Sequence, residues 1–151
     1  MKAKEGVLDI LNKVLVSELT AVHQYLLHAA LCKHWGYGRL DEHFSHLAQE
    51  EVSHSSGLID HILYLGGEPE MDHLDAVAAG KKVSDLLEAD LAFELEDADL
   101  LRDGIAHCAK AGAAASSSGA ASRFRRSMKH PSRRLRSGAI EQVPCRQCRP
   151  G

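Results

Sequence analysis

Glu51-Val52-Ser53-His54 sets a carboxylate and an imidazole three residues apart, the spacing that makes two side chains neighbours on one face of a helix. Both groups ligate divalent cations, and the step lies where an apolar stripe should run. Glu18 and Glu94 interrupt two further stripes near their middles. An ionised carboxylate in an apolar interior is prohibitive without a partner, so it takes up a proton, pairs with a cation or binds a metal. No Lys or Arg breaks any of the three stripes. One inward Glu alone could be a protonated residue, and one Glu-x-x-His a solvated face. Three stripes broken by ligand-type residues point instead to a metal site, and carboxylate oxygen with imidazole nitrogen suits a divalent transition ion.

The elements that must position these residues are legible from period. From the first residues to Trp35, the positions Leu8, Leu11, Leu15, Glu18, Val22, Tyr25 and Ala29 alternate steps of three and four, the seam of a bundle helix. A second helix from about Arg39 to Leu65 gives Leu40, Phe44, Leu47, Glu51, His54, Leu58 and then His61 or Ile62. A third, from about Val83 to Ala111, gives Leu87, Leu91, Glu94, Ala98, Leu101, Ile105 and Cys108. The fold class is therefore all-α. The short Trp35-Gly36-Tyr37-Gly38 link implies an antiparallel hairpin. The Gly66-to-Gly80 link is long enough to cross the length of a bundle and set the third helix parallel to the second. Glu70-Met71-Asp72-His73 within that link repeats the ligand spacing by letter, but its Gly/Pro setting offers no helix to align the pair, and it is not read as a site.

Composition divides the chain near Gly112. Residues 1–112 hold 9 Lys+Arg against 20 Asp+Glu, a net of −11, and residues 113–151 hold 9 against 1, a net of +8. The expected organisation is a helical domain over 1–112 and a basic, disordered tail over 113–151, since segments of low hydrophobicity and biased charge cannot bury enough to fold. Met1-Lys2-Ala3-Lys4-Glu5 runs straight into an amphipathic helix, with no signal peptide and no stretch able to span a bilayer, so a cytoplasmic protein with no membrane partner is expected. Cys32 and Cys108 sit in helices, and Cys145-Arg146-Gln147-Cys148 alone has metal or redox spacing, a weak signal without a second pair. Arg123, Arg125, Arg126, Lys129, Arg133, Arg134 and Arg136 could attract phosphate in a salt-sensitive way. With Phe124 as the sole aromatic for stacking and no recognition helix, nucleic acid is not an expected partner.

Glu5-Gly6-Val7-Leu8, the run from Glu18 to Tyr25, Trp35-Gly36-Tyr37, Ile62 to Gly67 and Glu88-Ala89-Asp90-Leu91 together resemble the bacterioferritins, ferritin-like four-helix bundles. The resemblance covers the chain to about Gly112. It implies a ferritin-like antiparallel bundle with a long crossover between the second and third helices, and a di-iron centre built from one Glu on each of two helices and a Glu-x-x-His on each of the other two, the arrangement general to this group. It implies ferroxidase chemistry, Fe(II) oxidised to Fe(III) by dioxygen, with the mineral stored in a hollow 24-subunit shell, a homo-oligomer or a mixed one. By the same resemblance Glu18 is a terminal ligand of the first iron, His54 its nitrogen ligand, Glu51 the bridging carboxylate and Glu94 a terminal ligand of the second iron. His46 and Glu50 resemble an inner-surface iron site, and Tyr25 stands where an electron could be passed or where a core hydroxyl finds a partner.

Two departures qualify this. Haem-binding members carry a methionine directly after the second-helix glutamate; here stands Val52, whose branched aliphatic side chain cannot ligate iron, so haem from a symmetric pair of these chains is not expected. A mixed dimer with a methionine-bearing subunit would still allow it. The fourth helix is missing or degenerate: Ser127-Met128-Lys129-His130 occupies the place of the second Glu-x-x-His, with serine for the carboxylate and a helix-breaking Pro131 after it. The abrupt change of composition at Gly112 suggests another reading frame of a GC-rich gene. With the second ligand pair gone, ferroxidase activity is expected to be weak or absent. A non-catalytic partner subunit that assembles with intact homologues is the alternative.

Overall fold

The computed structural model describes residues 6–110, which form three α-helices: α1, Val7–His34; α2, Gly38–Tyr64; and α3, Val83–Lys110. They occupy the spans that the period predicts. α1 and α2 both end the same way. Gly36 and Gly66 take left-handed conformations (φ 84° and 76°), and the next amides reach back to Cys32 and Ile62 carbonyls at 2.8 and 2.9 Å. This is the Schellman arrangement, which glycine enters without a Cβ penalty.

The helix directions follow from who meets whom. Asp90 and Glu94 of α3 bond to residues 24–28 of α1, Asp97 to Ser17, and Gly104 lies against Ile10. α3 therefore runs antiparallel to α1 and parallel to α2, as the long crossover requires. That crossover, residues 65–82, climbs the side of α1 and is fastened to it step by step. Asn12 donates to Glu68 O and accepts from Glu70 N, both at 3.0 Å. Thr20 accepts from Asp75 N at 3.0 Å, and Gln24 from Ala78 N at 3.2 Å. A connection without regular structure must find partners for its backbone groups, and a polar stripe on α1 supplies them.

α1 is the element that both other helices pack against, and it is buried on most of its circumference. Two apolar clusters result. One joins Val7, Leu11, Val14, Leu15, Leu58, Ile62 and Leu101; the other joins Ala21, Tyr25, Ala29, Cys32, Phe44, Leu47, Ala48 and Leu86. Between them lies a polar layer containing Ser17, Glu18, Glu51 and Ser55, all buried.

The stripes predicted on α1 and α2 hold, with Ile62 inward in preference to His61. The stripe predicted on α3 needs correction. Leu86, Asp90, Leu101 and Gly104 are the buried positions among the described residues of α3, whereas Leu91 and Ile105 are exposed. α3 presents to α1 a face turned by about one residue from its most apolar one. The apolar face, with Leu91, Leu95 and Ile105, meets no partner among the described residues, so burial there is decided by the α1 contact and not by hydropathy. The boundary at Gly112, the fourth-helix position, Cys145 and Cys148, and the basic cluster lie outside the described residues. Among the described residues no helix is long and apolar enough to cross a membrane.

Candidate metal centre

Glu18, near the middle of α1, and the Glu51–His54 step of α2 meet in the polar layer. Each offers a ligand atom, and these atoms lie within 4.8 Å of one another. His54 Nδ1 donates to Glu51 Oε2 at 2.6 Å and lies 3.3 Å from Glu18 Oε2. Both glutamates are buried and His54 is partly so. The geometry follows from sequence at each step: position 18 is on the α1 seam, and three residues on α2 bring 51 and 54 onto one face.

A pair of buried carboxylates around one imidazole stores protons. The His54 ring is pushed up to about 10 by its hydrogen bonds to Glu18 and Glu51, against a smaller opposing effect of burial. Burial raises the Glu18 carboxyl well above the ordinary range, and the Glu51 charge beside it adds to the rise. The donor set, two carboxylates and one imidazole nitrogen, fits a divalent transition ion, which would take the place these protons hold.

Glu94 stands apart from that triad. Its Oε1 accepts the Tyr25 hydroxyl at 2.5 Å, one helix turn from the buried Asp90. Burial and the Glu94 charge together keep the Tyr25 phenol protonated far above its usual range. The Tyr25 hydroxyl thus has a partner, and that partner is Glu94. His46 and Glu50 form an outlying pair on α2, 3.6 Å apart and largely solvated. Glu70, Asp72 and His73 do converge, with ligand atoms within 4.8 Å of one another, although all three are exposed to competing water. Val52 is 45% exposed on the outer face of α2.

Three polar groups escaped the sequence reading. Ser17 donates to Asp97 at 2.7 Å, and burial raises the Asp97 carboxyl. Gln24 and His28 both bond to Asp90. Ser55 Oγ is buried beside His54 in the chain with no hydrogen-bond partner among the described residues. A signal was present for most of them. Asp90, Glu94 and Asp97 step by four and three along α3, and Thr20, Gln24 and His28 step by four along α1. Each is a polar seam lying next to an apolar one.

Comparison with known proteins agrees with this arrangement. A family model described as a ferritin-like domain matches residues 8–122. The bacterial ferritin of Paramagnetospirillum magnetotacticum is 39% identical over 108 residues, 72% of this chain and 66% of its own length. That of Neisseria gonorrhoeae is 39% identical over 111 residues, 74% and 71% of the two chains. The bacterioferritin of Mycobacterium leprae is 36% identical over 108 residues, 72% and 68%. The chain thus spans 66% of the length of the first of these relatives, just under two thirds. With three helices, a long crossover and a matching model over most of its length, the chain belongs to the ferritin-like family.

Proposed function

We propose that this chain is an iron-binding and iron-storage subunit of the bacterioferritin type that holds Fe(II) at Glu18, Glu51 and His54. The observation that carries this is the triad itself, two buried carboxylates and an imidazole nitrogen converging between two apolar clusters. Substrate iron arriving there displaces the protons now shared by His54 and Glu18. Glu51 faces the pair from α2 and is the group able to bridge. Glu94, one turn from Asp90 on α3, is the terminal carboxylate for a second iron, and the Tyr25 hydroxyl holds it in place until the ion arrives.

The family's ferroxidase step, Fe(II) to Fe(III) with dioxygen, needs two irons held at once. The chain lacks a second Glu-x-x-His after Ala113, and serine stands at the expected carboxylate place. The second iron therefore keeps Glu94 and a share of Glu51, so the proposed activity is firm binding of one iron with slow oxidation. Val52 cannot supply the methionine sulfur that haem would need from a symmetric pair. The proposed assembly is a cytoplasmic shell, of like subunits or mixed with intact bacterioferritin subunits.

An anaerobic Fe(II) titration followed by stopped-flow oxidation tests this. About one Fe(II) per chain, lost in Glu51→Gln, with oxidation far slower than in an intact bacterioferritin, is the expected result. Absence of Fe(II) binding overturns the proposal, and two irons per chain with rapid oxidation overturns its impaired-site part. The serine at 127 also favours a second reading, a non-catalytic partner subunit. Co-expression with an intact homologue would then yield mixed particles, and exclusive self-association would dismiss it.

A further inference from the structure

The side chain of His28 is fully buried, and both of its ring nitrogens face oxygen. Nδ1 lies 3.0 Å from an Asp90 carboxylate oxygen, and Nε2 lies 2.8 Å from the carbonyl oxygen of Ala78 in the crossover. The Ala78 carbonyl can only accept, and so can Asp90 while its carboxyl is ionised. A neutral imidazole carries one N–H, so either tautomer would leave a ring lone pair against an acceptor with no water to intervene. With Asp90 ionised, only the doubly protonated ring satisfies both contacts.

Gln24 closes the circuit. Its Nε2 donates to Asp90 Oδ1 at 2.9 Å, and its Oε1 accepts the amide of Ala78 at 3.2 Å. The ring of contacts thus runs from Gln24 to Asp90, from His28 to Asp90, from His28 to Ala78 and from Ala78 back to Gln24. It ties together α1, α3 and the crossover through four hydrogen bonds. Networks of this kind fix one arrangement when complete and are costly when one member is lost.

We propose that His28 is a buried imidazolium, clasped between Asp90 and the Ala78 carbonyl, and that this clasp is the positioning element setting the register of α3, and so of Glu94, against α1. Glu94 lies one helix turn beyond Asp90, and its Tyr25 partner lies three residues before His28, so the two contacts share one stretch of interface. The neighbouring α1–α3 side-chain contact, Ser17 with Asp97, is polar too. Between the apolar contacts of Leu86 and Leu101, register at this interface is therefore specified by paired polar atoms. The other surroundings are compatible with a cation. From α2 the Phe44 ring packs 5.5 Å away, centroid to centroid. Titratable neighbours include Tyr25 and Cys32, about one turn to either side on α1, and Asp41 on α2, whose charge acts on Cys32. Burial, with the charges of Asp41 and Asp90, raises the thiol and keeps it neutral. Burial alone would lower the His28 ring, but the Asp90 and Ala78 hydrogen bonds outweigh it and the net direction is upward. The clasp itself stands independently of the proposed function, whereas its value to Glu94 rests on the reading of Glu94 as an iron ligand.

The test uses the full chain, metal-free, with nitrogen-15-labelled histidine. The expected spectrum shows both His28 ring nitrogens protonated at pH 7.5. In Asp90→Asn, the His28 pKa falls by about 1–3 units, the usual worth of an adjacent opposite charge. A neutral-tautomer pattern for His28 in the intact chain, or a titration unchanged by Asp90→Asn, overturns the imidazolium. Register is read through the Tyr25 hydroxyl proton, which the 2.5 Å contact places far downfield and slow to exchange. Its upfield movement or loss in Asp90→Asn and His28→Gln, but not in the exposed control His34→Gln, is expected. An unmoved Tyr25 signal in a folded Asp90→Asn protein overturns the positioning role. Failure of Glu94→Gln to slow the residual Fe(II) oxidation further would remove Glu94 from the iron site while leaving these ring-nitrogen results standing.

Discussion

Metal binding at the triad should release protons, and the number can be worked from the site. His54 Nδ1 is held by two carboxylates at 2.6 and 3.3 Å, which push its ring up to about 10. At about pH 7 a metal ion must therefore displace a proton bound some 3 pH units more firmly than neutrality requires. At about 1.4 kcal/mol per unit this costs about 4 kcal/mol, or roughly a thousandfold in affinity. Because the ion competes with the proton, affinity must rise with pH, by about tenfold per unit for His54 alone. Glu18, raised by burial, adds to the slope wherever it too is protonated. Calorimetric titration with Co(II), run in two buffers of different protonation enthalpy, counts the protons directly. One to two protons released per ion is the expected result, and His54→Gln should lower that count by one and flatten the pH dependence. An affinity that is level from pH 6 to 8, with no net release, would refute the reasoning.

Metal-free stability should move the other way. His54 and His28 are both raised in the fold, so their contribution is complete below about pH 6.5 and is lost as pH climbs through their folded values, reaching about 10 for His54. The raised Glu18 acts in the same sense, so the denaturation midpoint should fall between pH 7 and 9, and a rise would contradict the assigned proton positions. Leu15→Ala empties a fully buried position in the cluster it forms with Leu11, Leu58 and Ile62 and should cost about 2–5 kcal/mol by chemical denaturation. A cost below 1 kcal/mol would mean that the cluster is not packed as described. Gly67→Ala would put a Cβ 2.5 Å from Leu8 Cδ2 and 3.1 Å from Ile62 Cγ2, and overpacking of that kind should cost about 1–3 kcal/mol. An unchanged thermal midpoint would show that the end of α2 yields freely.

The sequence by itself determined the three helices, the ends of α1 and α2 and the triad, because each depends on local rules. Heptad-like stepping names the seam of α1 and α2, glycine at the left-handed position names where they stop, and a three-residue step puts Glu51 and His54 on one face whatever the surroundings. Glu18 was legible because charge on an otherwise apolar seam is conspicuous. The tertiary structure decided what depends on a second element. α3 turned Asp90 inward and left Leu91 and Ile105 outward, since its buried face is chosen by α1 and the crossover and not by its own most apolar side. Glu94 paired with Tyr25 for the same reason. Thr20, Gln24 and His28 step by four as a polar seam, but what that seam meets is decided only when the crossover lies along it, because the period of one helix does not name a partner fifty residues away. Proton storage at His54 likewise exists only where carboxylates from two helices close on one ring.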